Sequence, residues 1–106
     1  MSDEGGIDRD SSAAPQGAEV RVLEIVNKKG LHARASAKFC QIVERFDADV
    51  RVTRGHETVG GTSIMGLMML GAGTGSKITV EATGNEAAAV ADALEKLVTS
   101  GFGEED

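Results

Sequence analysis

The sequence has no tryptophan and no tyrosine, and its 106 residues include only one proline and one cysteine. A single cysteine, Cys40, cannot form a disulfide within the chain. Its apolar neighbours on an expected helix point to a buried thiol rather than a nucleophile. The missing tyrosine and tryptophan remove the rings on which nucleic-acid bases stack best. No apolar run approaches the roughly 20 residues of a membrane span, and the opening "MSDEGGIDRD" lacks the basic-then-apolar order of a secretory leader. These absences predict a cytoplasmic protein without membrane insertion. The two histidines, His32 and His56, have no acid cluster beside them in the sequence, so no metal site is expected. Gly71, Gly73 and Gly75 lack the Lys-Ser/Thr ending of a P-loop and read as a flexible connection.

Charge is present but unevenly placed. The net charge is −6, yet residues 1–18 and 104–106 hold seven of the 17 acids and one of the 11 bases, leaving ten of each over residues 19–103. The folded part is therefore neutral, and no basic footprint for nucleic acid remains. Residues 1–18 combine Gly, Ser, Pro and acids without hydrophobic period and are expected to be a disordered acidic tail. Residues 19–103 are expected to form one domain, with an acidic C-terminal end at 104–106.

Within the domain the hydrophobic period alternates between 2 and 3.6. "EVRVLEIVN" reads as a strand with two candidate buried faces, one carrying Val20, Val22 and Val26, the other Leu23 and Ile25. "HARASAKFCQIVERF" after Gly30 is an amphipathic helix, with Ala33, Ala37, Cys40, Ile42, Val43 and Phe46 as its apolar candidates. "DADVRVTR" is a second strand, and Gly55 marks a hairpin into a short third. Ser63 is a good N-cap type for the short apolar helix "SIMGLMML". "KITVEA" is a strand with Ile78 and Val80 on one face. "GNEAAAVADALEKLVTSG" is a helix with Asn85 as expected N-cap, acids in the first turn, Ala89, Val90, Ala93, Leu94 and Leu97 on one face, and Gly101 as its stop. The order βαββαβα, with short connections wherever no helix intervenes, predicts an α+β fold of two layers with a largely antiparallel sheet.

One histidine stands where chemistry is favoured. In "NKKGLHARASAKF", His32 falls where a helix begins, so unpaired backbone amides and the positive end of the helix dipole meet there. A neutral imidazole nitrogen is both nucleophile and leaving group. If a phosphoryl group were attached to that ring, the first-turn amides and the Arg34 guanidinium would hold it. On position alone the residues favour His32 as a cap that does not react. His56, beside the Gly55 turn, reads as an exposed loop residue.

Three stretches then act together. "GLHAR" after a strand, "TSIMGLMMLG" and "ITVEATGNEA" closely resemble the HPr family of histidine-containing phosphocarriers of the bacterial phosphoenolpyruvate-dependent phosphotransferase system. The resemblance covers about residues 19–103, in order and with the family's spacing between the His and Ser motifs. It implies an HPr-like open-faced β-sandwich: a four-stranded antiparallel sheet of order 1-4-2-3 covered by three helices. It further implies that His32 accepts phosphate at Nδ1, that Arg34 stabilises it, and that enzyme I and enzyme IIA domains are the partners. No cofactor is implied, and the protein is expected to be a monomer, a substrate of enzyme I rather than an enzyme.

The resemblance also assigns a surface. Ile64, Met65 and Met68 are expected to form an exposed apolar patch near His32, enlarged by Met69, with Leu67 and Leu70 in the core; Ala35 and Lys38 join the partner-binding residues. Ala35 replaces the family's usual proline, adding a first-turn N–H at some cost in rigidity. Gln41 and Glu44 stand where many sugar-branch relatives carry lysines, leaving Arg34, Lys38 and Arg45 to meet an acidic partner. "VEATG" and "SGFGEED" resemble the nitrogen-related NPr branch, so both sugar uptake and nitrogen-type regulation stay open. Ser63 matches a serine that a dedicated kinase phosphorylates in some members, which makes HPr kinase/phosphorylase a candidate partner. The alternatives are a regulatory docking module controlled through Ser63, and a small-ligand sensor of similar layering.

Overall fold

The computed structural model describes residues 17–104. The tail expected over 1–18 lies outside them apart from Gly17 and Ala18. In chain order the elements are β1 (Glu19–Glu24), α1 (Ala33–Glu44), β2 (Asp49–Arg54), β3 (Glu57–Gly60), α2 (Ile64–Met69), β4 (Lys77–Thr83) and α3 (Ala87–Thr99), followed by a 3-10 turn at Gly101–Gly103. The strands form one antiparallel sheet of order β1-β4-β2-β3. The expected two-layer α+β architecture and its 1-4-2-3 order are both present.

Period-2 alternation decides which side of the sheet is covered. Ile78, Val80 and Ala82 of β4 are buried, as are Val50 and Val52 of β2. The register sets Val52 opposite Val80 and Leu23 opposite Ile78, so these side chains share one face, and the helices pack there. Of the two faces possible for β1, Leu23 and Ile25 are the buried pair; Val20 and Val22 face outward. Arg21 shares the inward row with Leu23, a poor place for a charge. It is accommodated at the sheet edge by Glu19 at 2.8 Å, and by Asp92 and Glu95 of α3 at 2.7 and 3.2 Å.

Both long helices are rotated from their expected faces. α1 buries Ala35, Ser36, Phe39, Cys40 and Val43, while Ala33 is exposed and Ala37 half-buried. The bulky Phe39 sets the phase, and alanines on every side of the helix carry little phase of their own. Ser36 is admitted because its Oγ donates to Leu31 O at 3.1 Å. α3 buries Ala87, Val90, Ala91, Leu94 and Val98, leaving Ala89 exposed and Ala93 and Leu97 half-buried. Its N-cap is Glu86 rather than Asn85, and neither acid nor Asn85 caps it by side chain. Both serve a tertiary tie instead: Asn85 Nδ2 donates to Asp47 Oδ2 at 2.8 Å, and Glu86 Oε1 accepts from the Asp47 amide at 2.6 Å.

Two short connections position the region around His32. Gly30 has φ +66, and its amide and carbonyl turn the chain so that the Leu31 N–H reaches Ala72 O at 3.0 Å. A Cβ at Gly30 would lie 2.3 Å from that same carbonyl. Only glycine fits, since a side chain would meet both the left-handed backbone and a fixed oxygen. The hairpin between β2 and β3 has Gly55 at φ +61 followed by His56, the φ signs of a two-residue II′ turn.

Gly30→Ala is expected to cost about 2–3 kcal/mol through strain and displacement of the Ala72 segment. Gly73→Ala, where nothing lies within 4 Å of an added Cβ, should stay within about 0.5 kcal/mol. Urea unfolding of the two variants measures the contrast.

Candidate functional site

His32 is the N-cap of α1, as its position in the sequence predicts, but only through its backbone. Its carbonyl accepts from Ser36 N–H at 2.8 Å, and its side chain makes no capping bond. The simple capping role is therefore filled without the ring. The amides of Ala33, Arg34 and Ala35, ahead of that first helical bond, are the orphan donors of the helix start.

The ring instead points Nε2 at the carboxylate of Glu104, pairing with its Oε2. This contact crosses 72 positions of sequence. The other carboxylate oxygen accepts from Asn27 Nδ2 at 3.1 Å, and the same amide nitrogen donates to Gly30 O at 2.9 Å. A carboxylate so placed can only accept, so the bond assigns the hydrogen of a neutral ring to Nε2 and leaves the lone pair on Nδ1.

What brings Glu104 there is a strap made by the end of the chain. Gly101, Phe102 and Gly103 take φ of 69, 59 and 70, reversing the chain after α3 and placing Phe102 in the core at 1% exposure. Lys38 Nζ donates to Phe102 O at 2.7 Å, tying the strap to α1. The sequence reading left Glu104 in an acidic end and gave Phe102 no role. The available signal was an aromatic residue between two glycines directly after a helix, the pattern of a chain folding back on its own last turn.

An open cleft of about 510 Å³ is lined by Lys29, His32, Ala33, Arg34, Lys38, Gly103 and Glu104. Three of those side chains are cationic, so an anion entering beside the ring meets positive charge and the first-turn amides of α1 together. Lys29 was missed in the sequence because it belongs to the turn before the helix; only the Gly30 reversal brings it to the cleft. A second, shallower groove on the other side of His32 is lined by Lys29, Leu31, Met68 and Gly71–Gly73. Met68 is thus the member of the apolar patch that adjoins the histidine.

The rest of that patch follows from the length of α2. A six-residue helix has room to bury one side only; Leu67 and the following Leu70 take it, and Ile64, Met65, Met68 and Met69 are exposed. Arg54 Nη1 donates to Leu70 O at 3.0 Å, fixing the far end of the helix. Ser63 caps the near end, its Oγ accepting from Gly66 N–H at 2.9 Å. Ser63 is exposed and lines neither groove beside His32. Ala35 departs from expectation: its side chain is fully buried in the core, so it offers a partner no side-chain surface. A residue one turn into a helix lies under the cap when the next elements pack from that side. Cys40 is buried, and burial pushes its thiol up from the ordinary value. His56 is exposed in its turn, and no group of three metal-ligating side chains occurs among the described residues.

Comparison with known proteins finds phosphocarriers over most of the chain. A family model described as the PTS HPr component phosphorylation site matches residues 19–100. The chain is 49% identical to the phosphocarrier protein HPr of Neisseria meningitidis serogroup A, over 77% of this chain and 92% of that protein. It is 39% identical to the phosphocarrier protein NPr of Shewanella violacea, over 79% and 92%. The crystal structure of HPr from Thermoanaerobacter tengcongensis superposes with a TM-score of 0.79 at 38% identity, covering 83% of this chain and 99% of that one.

The bond from His32 and the neighbouring Asn27 and Lys38 hold the Glu104 carboxyl below its ordinary range despite burial. A depressed carboxyl stabilises the folded state at pH above its unfolded value and loses that contribution as pH falls through the folded one. The difference in stability between the native protein and Glu104→Gln should therefore shrink as pH falls below about 4. Denaturant unfolding at a series of pH values checks this. Phe102→Ala, which empties the strap's anchor, should cost about 3–5 kcal/mol.

Proposed function

The chain belongs to the HPr family of phosphotransferase-system phosphocarriers, and from that membership we propose that His32 is the residue that carries the phosphoryl group. Enzyme I, charged by phosphoenolpyruvate, would deliver it to Nδ1, and a histidine of an enzyme IIA domain would receive it. The protein is a carrier rather than a catalyst. The observation that supports His32 most is the division of labour within its ring: Nε2 is engaged by Glu104, leaving Nδ1 as the nitrogen with a lone pair.

Transfer requires the two histidines to approach in line across an interface that excludes water, so catalysis is positioning and charge. Arg34 supplies a guanidinium to the phosphoryl oxygens, and the amides at the start of α1 supply hydrogen bonds that need no rearrangement. Lys29 and Lys38 add positive charge around the same cleft. Ile64, Met65 and Met68, with Met69 beside them, serve as the apolar contact that seats both partners; Met68 lines the same groove as His32. In this reading the protein works in the cytoplasm as a monomer that meets each partner briefly. Ala35 contributes by filling the core under the first turn, not by touching a partner.

A second reading is regulatory. Ser63 is exposed and begins the helix that bears the apolar patch. A phosphate on it, from an HPr kinase/phosphorylase, would place about two negative charges beside the docking surface and weaken docking. The sugar and nitrogen branches are separated by which IIA domain accepts the group.

Intact mass after incubation with phosphoenolpyruvate and cognate enzyme I tests the first reading. The native protein is expected to gain one acid-labile phosphoryl group and His32→Ala none. Arg34→Ala should still gain it, about 100–1,000-fold more slowly. No adduct on the native protein, with enzyme I shown to be charged, would remove the carrier reading and leave Ser63 docking in its place.

A further inference from the structure

Glu104 is held from several sides. Its Oε2 pairs with His32 Nε2, and its Oε1 accepts from Asn27, a side chain 1% exposed whose other donor hydrogen is fixed on Gly30 O. The preceding residues are anchored by buried Phe102 and by Lys38 on Phe102 O. Two residues in left-handed backbone flank a third that is not glycine, a conformation that side chains adopt only when surroundings demand it. The anchoring has one evident product, a carboxylate set at a defined place on the Nε2 side of the ring.

We infer that Glu104 is a positioning residue for the phosphoryl relay, holding the Nε2 proton of His32 in place before, during and after transfer. The inference rests on the carrier reading of His32 and assigns a role to a residue outside the histidine motif. The buried Asn27 aims the carboxylate as a histidine's partner carboxylate is aimed in hydrolytic triads, where it fixes the tautomer and stabilises the ring cation without taking the proton.

The Nδ1 lone pair forms a bond to phosphorus while the nitrogen–phosphorus bond of the donor histidine breaks, its electron pair returning to the donor ring. The His32 ring becomes cationic, keeps its Nε2 hydrogen, and shares the charge with Glu104. In the onward step the Nδ1–phosphorus bond breaks, the pair returns to Nδ1, and the ring departs as neutral imidazole. Without the Nε2 hydrogen it would have to leave as imidazolate, a much poorer leaving group. Among the described residues, Lys29, Arg34, Lys38 and Glu104 are the charged groups lining the cleft. The three cations favour the phosphoryl oxygens, and Glu104 alone favours the ring cation.

The test compares native protein, Glu104→Gln and Glu104→Ala in single-turnover phosphorylation by charged enzyme I, with nitrogen NMR of the His32 ring. The alanine variant is expected to accept the group roughly 10–100-fold more slowly, the size of effect seen when a histidine's orienting partner is lost. Glutamine, whose amide oxygen still accepts from Nε2–H, should recover part of that rate. The Nε2 hydrogen should be protected from exchange in the native protein and unprotected in the alanine variant. The acid limb of phosphohistidine hydrolysis should move to lower pH in Glu104→Gln, because no anion then supports the ring proton. Protection of the Glu104 amide, which donates to Gly101 O at 3.1 Å, should persist at position 104 in the glutamine variant and shows that its strap remains seated. Indistinguishable rates and exchange in all three proteins, with the native adduct formed, would overturn the role of Glu104 alone. Absence of the native adduct would instead overturn the carrier reading beneath it.

Discussion

The site depends on one buried side chain, Asn27. Its backbone carbonyl accepts from Gly30 N–H at 3.2 Å and Thr74 Oγ1 at 2.6 Å, while its side-chain amide donates to Gly30 O and to Glu104. Four segments meet there: the exit of β1, the turn before His32, the connection after α2, and the strap after α3. The amide hydrogens and backbone carbonyl of Asn27 would be costly to bury unpaired, so these segments gain by closing on them together, while its Oδ1 is buried without a partner among the described residues. The histidine is held at the centre of that closure, and the cleft lined by Lys29, Arg34 and Lys38 is the space the closure leaves open.

The layered fold explains why such closure occurs at one end of the molecule. The sheet has one covered face, whose core of Leu23, Val52, Ile78 and Val80 is matched by α1 and α3. β1 and β4 are neighbours, so the turn leaving β1 and the loop entering β4 emerge side by side. Leu31 N–H on Ala72 O and Gly75 N–H on Ile25 O join the two connections directly. α2, too short to bury more than one side, leaves its methionines exposed beside the same loop. The exposed apolar patch and the charged cleft are thereby adjacent for a topological reason, and the proposed docking on the first would bring a partner over the second.

Much of this was legible in the sequence, and the gaps share a cause. Strand and helix order, the Gly55 hairpin and the Ser63 cap follow from local period and residue type, and the exposure of the α2 methionines from the family resemblance. The face of β1 was ambiguous because valines occupy one parity and Leu23 with Ile25 the other; it was resolved by what β4 presents. The rotations of α1 and α3 escaped notice because alanine packs on either side of a helix with little preference. Asn85 looked like a cap by type, yet a partner on another element, Asp47, took it. Ala35 looked like surface by proximity to the histidine motif, and packing from neighbouring helices buried it.

The sequence by itself determined the order of the elements, the helix start at His32 and the family motifs around it. These are properties of near neighbours, where period, capping type and glycine conformation act within a turn or two. Only the tertiary structure decided which nitrogen of His32 is engaged, that Lys29 faces the cleft, and that Glu104 reaches the ring from 72 positions away. Such contacts depend on which distant segments share a wall of the core. No local pattern encodes that choice, because it is made by the summed packing of the whole sheet and its helices.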